Sequence, residues 1–166
     1  MKMINNWNAN DKMKKILGYI ITDLTDEEVK FKIQQFNELL FPSFKKVKDC
    51  IIITKKNVHE LEKEFENMIK VYGDRTGYEA SNTETRIHCY LENEISMETG
   101  IRIALDITEI WALQLKKLEF NSRFCFIICA DEDFVELRFH KVRSDEEPWL
   151  SEEIHDYDEF VAYCIL

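Results

Sequence analysis

The stretch Arg123-Phe124-Cys125-Phe126-Ile127-Ile128-Cys129-Ala130-Asp131-Glu132-Asp133-Phe134-Val135-Glu136-Leu137-Arg138-Phe139-His140-Lys141-Val142 decides the fold. Residues 123–130 are apolar on both faces, the pattern of a central strand. Over 134–142 the pattern alternates, with Val135, Leu137 and Phe139 opposed to Glu136, Arg138 and His140. Asp131-Glu132-Asp133 is short and polar enough to join the two as a hairpin. An antiparallel pair therefore lies at the heart of a sheet, and 161–166 adds a closing strand. Further strands are expected over 47–54, around Cys50-Ile51-Ile52-Ile53, and over 86–91, where Ile87, Cys89 and Leu91 alternate.

Helices fill the intervals. Thr25 followed by Asp26, Glu27 and Glu28 reads as a capping box, with Val29, Ile33, Phe36 and Leu40 behind it and Pro42 as the stop. Asn57, with Glu60 three residues on, starts a second helix whose stripe is Val58, Leu61, Phe65, Met68 and Tyr72, ended by Gly73. The longest spans 96–118, with Ile101, Leu105, Thr108, Trp111, Leu115 and Leu118 on one stripe. Ile103, Ile107 and Ile110 widen it, so this helix meets more than one neighbour. Residues 13–22 fit either a helix or a strand. The Gly, Asp, Ser and Asn-rich run 73–85 reads as a loop with hinge character. The expected fold is α+β, one domain over 1–166, with a mostly antiparallel C-terminal sheet packed by three or four helices.

At 166 residues the chain buries enough surface to hold a core without disulfides or metal. Its five cysteines, Cys50, Cys89, Cys125, Cys129 and Cys164, form no CxxC pair and sit mostly in apolar runs, as expected of reduced thiols in the cytoplasm. No apolar run of signal-peptide length follows a basic start at the N-terminus, and no stretch approaches the length of a membrane span.

The net charge is −10, and it is segregated. Residues 131–166 hold twelve acidic and three basic side chains, a balance of −9. Such a chain is a poor nucleic-acid binder, because phosphate affinity comes from clustered Lys and Arg. The acidic residues are interleaved with Trp149, Leu150, Ile154, Tyr157 and Phe160. Large aromatics ringed by charge are the anatomy of an interaction surface, and the negative field would steer a basic protein partner toward it. The candidate partner-binding residues are Asp145, Glu146, Glu147, Trp149, Glu152, Glu153, Asp156 and Asp158. Some of the aromatic and aliphatic residues in this run serve instead to fasten it onto the sheet.

Tests for chemistry return little. HExxH, EF-hand and paired Cys/His spacings are absent, so neither a metal nor a cofactor is expected. The four glycines form no phosphate-binding loop and no nucleophile elbow. Cys125 and Cys129 share a strand face in apolar surroundings that disfavour a thiolate. No catalytic residue is assigned and the chain is expected not to be an enzyme. The alternative is a small hydrolase or metal-assisted enzyme using His88 and His140, meeting across the sheet with nearby carboxylates. A third reading is a self-associating structural domain using Trp111 and the C-terminal edge strand; the oligomeric state is open.

The run Val135-Glu136-Leu137-Arg138-Phe139-His140-Lys141-Val142-Arg143, then Trp149-Leu150, then Val161-Ala162-Tyr163-Cys164-Ile165-Leu166, resembles the ending of the small acidic immunity proteins of bacterial polymorphic toxin systems. The resemblance implies a compact α+β protein that binds and blocks a cognate toxin domain such as a nuclease. It carries over no individual binding residue.

Overall fold

The computed structural model describes residues 6–22, 27–151 and 153–166. In chain order the elements are β1 (Asn8–Ala9), α1 (Asp11–Thr22), α2 (Ile33–Leu40), β2 (Phe44–Val47), β3 (Cys50–Ile53), α3 (Val58–Tyr72) and α4 (Arg75–Asn82). Then come β4 (Thr85–Arg86), a 3-10 turn (Ile87–Tyr90), α5 (Met97–Leu118), β5 (Phe124–Ala130), β6 (Val135–Lys141), a 3-10 turn (Ile154–Asp156) and β7 (Phe160–Ile165). The fold is α+β. A five-stranded antiparallel sheet has the order β1-β7-β5-β6-β4, and β2–β3 forms a separate two-stranded hairpin.

β5 is central, as its two apolar faces require. Phe124, Phe126 and Ile128 point to the helical side, where they meet Leu137 and Phe139 of β6, Ala162 and Cys164 of β7, and the inner faces of α1, α2 and α5. Cys125, Ile127 and Val161 point to the other side, which is covered by Leu150 and Ile154 of the acidic segment. That segment lies across the outer face of the sheet, so it is a structural layer. A third cluster joins the β2–β3 hairpin to α3 and α4 through Val47, Cys50, Ile52, Leu61, Phe65 and Tyr78.

α5 behaves as its stripe demands. Ser96 caps it by accepting from the Thr99 N–H, and Trp111 at its centre is fully buried against Phe44 and Phe139. Its indole N–H donates to the Leu39 carbonyl at 2.8 Å. Gly100 permits the helix to approach β6, because a Cβ there would stand 2.8 Å from Val135 Cγ2. α3 starts at the Asn57 cap and ends at Gly73, whose φ of 91° only glycine adopts without strain. The N-terminal ambiguity resolves as helix: Met13, Leu17 and Ile20 are buried on one face of α1.

Three expectations are corrected. The helix anticipated over 25–40 begins only at Ile33. Thr25 and Asp26 lie outside the described residues, and residues 28–32 run extended beside 90–93. There Phe31 bridges Leu91, Lys32 N–H donates to the Tyr90 carbonyl and Glu92 N–H to the Lys30 carbonyl. Glu27 caps a different helix: its carboxylate accepts from Ser96 N–H at 2.9 Å and Ser96 Oγ at 2.7 Å, at the start of α5. The stripe is also rephased, Leu39 being buried and Ile33 exposed.

The strand anticipated over 86–91 is the second correction. Only Thr85 and Arg86 pair with β6, and the chain then turns away because 90–93 is taken by 28–32. Third, 73–85 is no hinge loop. It contains α4, capped by Asp74, with Thr76, Gly77, Tyr78, Glu79 and Ala80 all buried. The helix is stabilised by what it packs on, since its polar, small-residue sequence has no apolar stripe to announce it. With α4 the described residues hold five helices, one more than the upper bound of the expectation. Trp111, being buried, offers no surface for self-association, and the C-terminal strand is not an edge where β1 pairs with it at Ala162 and Tyr163.

At the end of α5 the Glu119 carboxylate is clamped by Lys141 Nζ, Lys46 Nζ at 2.6 Å and Ser122 Oγ at 2.7 Å, joining α5 to β6 and β2. Burial pushes this carboxyl up, but the hydrogen bonds from Lys141, Lys46 and Ser122 outweigh it and hold it at about 2. A carboxyl whose folded value is depressed contributes stability at neutral pH and loses it as the pH falls from its unfolded range toward that folded value. The contribution is about 2–3 kcal/mol. Glu119→Gln should therefore destabilise the chain by that order at pH 7 and by much less near pH 2. Parallel urea titrations at the two pH values check this, and an equal deficit at both would refute it.

Candidate functional site

Two features meet on the outer face of the sheet: a buried ionic joint and, above it, the acidic segment. The joint is built by α4. Glu79, fully buried, accepts from the Ile51 N–H of β3 at 2.7 Å and from the Lys141 N–H of β6 at 2.8 Å. It thus bridges two strands that belong to different sheets. Its charge is met by Arg143, whose Nη1 donates at 2.7 Å. Arg143 also donates from Nη2 to the Asp49 carbonyl in the β2–β3 turn at 3.1 Å. One turn earlier on α4, Arg75 pairs with Asp49, Asp145 and Glu146.

The structure divides the candidate partner-binding residues. Glu146 is turned inward, accepting from the Arg75 guanidinium, from Thr76 N–H at 2.9 Å and from Thr76 Oγ1 at 2.8 Å. Burial alone would push its carboxyl up, but the bonds from Arg75 and Thr76 hold it below the ordinary range. Asp145 is exposed yet paired with Arg75. Glu147, Glu153, Asp156 and Asp158 are exposed and make no ion pair among the described residues. Trp149 is 40% exposed, its ring lying over the Arg138 guanidinium at 5.8 Å. Glu152 lies outside the described residues. Leu150 and Ile154 are buried and pin the segment.

Arg138 is itself held by Glu136 at 2.6 Å and Glu84 at 3.2 Å, and Arg86 pairs with the same two carboxylates, so the platform under Trp149 is charge-balanced. Glu136, placed by its alternation on the polar face of β6, is buried with its carboxylate between Arg86 and Arg138.

Beneath the segment is a cavity of about 210 Å³ between Cys125, His140, Val142, Arg143, Leu150 and Tyr163. The sequence marked His140 only as a cross-strand partner for His88. That pairing does not form. His88 is exposed in the 87–90 turn beside Cys89, and it lines a separate groove with Ser96 and Asp131. His140 is 3% exposed. Burial lowers its basicity and outweighs the hydrogen bond to Lys141. Cys125 lies directly across from it on β5, and burial pushes that thiol up to about 12, the reverse of an activated nucleophile.

Arg75, Thr76, Glu79 and Arg143 were missed as a group. The signal for the first three was an Asp74 cap with Gly77 three residues on, and Asp74 Oδ1 does accept from Gly77 N–H.

No helix among the described residues is long and apolar enough to cross a membrane. No match is found among curated proteins or among solved structures. One family does match, over residues 8–165, which reaches from β1 to β7 and takes in the joint, the acidic segment and the cavity. The chain belongs to the Uncharacterized protein PM0498 family.

Proposed function

We propose that this chain is a non-enzymatic, cytoplasmic binding protein of the immunity kind, which neutralises a basic toxin domain such as a nuclease through the outer face of its acidic segment. The observation that carries this reading is the sorting of charge within that segment. Asp145 and Glu146 are consumed by Arg75, whereas Glu147, Glu153, Asp156 and Asp158 stay exposed and unpaired among the described residues. A cover pinned by Leu150 and Ile154 presents these carboxylates with little ordering left to do on binding. They can take the Lys and Arg contacts that a nuclease would otherwise give to phosphate. Trp149, 40% exposed over Arg138 of β6, supplies the apolar anchor.

The test takes as partner a toxin domain encoded directly beside this chain's gene, and a neighbourhood without one would count against the proposal. Co-expression should rescue growth. Reversing Glu147, Glu153, Asp156 and Asp158 together to Lys should slow association at low salt by about tenfold or more, since steering scales with the local field. The melting temperature should move little, because exposed unpaired carboxylates add little to stability. Stopped-flow rates unchanged by the reversal would sink the proposal.

A further inference from the structure

We infer that the cavity beneath the acidic segment is a socket for one large apolar side chain of the basic protein partner, of the size of Phe, Leu or Met, flanked in that partner by Lys or Arg. The inference rests on the reading of this chain as a binder of a basic protein, and it names what that protein must present.

The rim comes first. Of the residues lining the cavity, Glu147, Pro148, Ser151 and Ile165 are also exposed, so the space opens to solvent between the acidic segment and the end of β7. Three of these four belong to the segment itself. Glu147 is one of its carboxylates that make no ion pair among the described residues. Pro148 and Leu150, both on the lining, flank Trp149 in the chain, so the opening adjoins the exposed aromatic.

The walls decide what can enter. The inner surface is mainly apolar, supplied by Val142, Leu150, Tyr163 and Ile165 together with the Cys125 thiol, which burial keeps protonated. A space of about 210 Å³ exceeds the roughly 150 Å³ that accommodates benzene in an apolar protein interior, so it holds one aromatic ring or a branched aliphatic side chain.

Charge then separates interior from rim. Inside, a cation meets no free carboxylate, because Glu146 on the wall is engaged by Arg75 and Thr76. Arg143, also on the wall, is engaged by Glu79 and the Asp49 carbonyl and leaves nothing for an anion to answer. The interior therefore takes a neutral group, while Glu147 at the rim takes a positive one. An apolar anchor sunk in a pocket, with charge at its edge, is the anatomy of an interface hot spot. A free apolar molecule would leave Glu147 unanswered, which favours a side chain carried on a basic surface.

The experiment titrates the full chain, with ¹³C-labelled methyl groups, at low salt. The probes are acetyl-Lys-Phe-Lys-amide, acetyl-Lys-Ala-Lys-amide, acetyl-Glu-Phe-Glu-amide and toluene, each to millimolar concentration. The Lys-Phe-Lys peptide should bind saturably and move the methyl resonances of Val142, Leu150 and Ile165. Lys-Ala-Lys should bind at least about tenfold more weakly, the worth of a buried ring. Glu-Phe-Glu should bind severalfold more weakly than Lys-Phe-Lys, with the gap narrowing in high salt. Glu147→Gln should shrink that gap, and Ser151→Trp, which crowds the rim, should shrink the preference for Phe over Ala. Equal binding of the Phe and Ala peptides, equal binding of the Lys and Glu peptides, or unmoved methyl resonances would each overturn the socket. So would toluene binding as tightly as Lys-Phe-Lys, which would make the cavity a site for a free apolar molecule. The readings on the unaltered chain decide this even where a variant fails to fold. No toxin domain enters the titration, so its failure strikes the socket alone. Growth that co-expression does not rescue, with Lys-Phe-Lys still seated, strikes the immunity reading alone.

Discussion

Arg143→Met is expected to destabilise the fold by about 3–5 kcal/mol at neutral pH, the range found when one partner of a buried ion pair is removed. The residue left behind explains the size. Glu79 has no exposure, and its carboxylate bridges the N–H groups of Ile51 and Lys141. Burial already pushes its carboxyl up, and the Arg143 guanidinium is the main influence opposing that. Without Arg143 the folded state must keep an uncompensated charge or take up a proton. A carboxyl with a raised folded pKa contributes favourably below its unfolded range and loses that contribution as pH rises through the folded value. The deficit of Arg143→Met should therefore be largest at neutral and higher pH and shrink toward pH 4–5. Adding Glu79→Gln to the same chain should recover part of the loss, since the amide oxygen still accepts one backbone N–H without carrying charge. Urea denaturation of the single and double variants across that pH range is the measurement. A deficit below about 1 kcal/mol at pH 7, or one independent of pH, would show that the joint contributes less than its geometry implies.

Trp111→Ala should cost as much by a different route. The side chain is fully buried where α5, the β2–β3 hairpin and β6 converge, in edge-to-face contact with Phe44 and Phe139. Truncation opens a cavity that this junction cannot collapse, at about 3–5 kcal/mol. It also strands the Leu39 carbonyl, which accepts the indole N–H at the C-terminal end of α2. Trp111→Phe separates the two effects, because it keeps a ring and loses the donor; about 1–3 kcal/mol is expected from the unmet carbonyl and the smaller ring. For a chain of this size each kcal/mol lowers the melting temperature by about 2–4 °C, so calorimetry should find Trp111→Ala lower by about 6–20 °C. A loss from Trp111→Ala no greater than that from Trp111→Phe would mean the junction repacks.

What could be read in advance follows from which signals are local. α5 and α3 carry side-chain caps at Ser96 and Asn57 and a stripe of the right period, so they lie where the pattern puts them. β5, β6 and β7 were equally legible, because alternation or continuous burial over six or seven residues is itself the imprint of a sheet. The segment Glu27 to Lys32 carried a helix signal and lost it to pairing with 90–93, a contact some sixty residues away in sequence. α4 carried the opposite error: Thr76, Gly77 and Glu79 read as loop residues, and are buried because α3, β3 and β6 surround them.

The acidic segment shows the same division most sharply. The order of residues alone determined that negative charge is concentrated in residues 131–166, that aromatics are interleaved with it, and that an antiparallel sheet lies at the C-terminal end. Tertiary structure alone decided which carboxylates remain free. Glu146 and Glu136 are held because Arg75 and Arg86, from other parts of the chain, are brought against them, whereas Glu147, Glu153, Asp156 and Asp158 find no such partner among the described residues. It also decided that His140, set on the polar face of its strand, is buried beside a cavity. The physical reason is common to all of these. A sequence records periodicity and charge along the chain, but desolvation and ion pairing depend on which surfaces close over a residue, and those surfaces come from elsewhere in the fold.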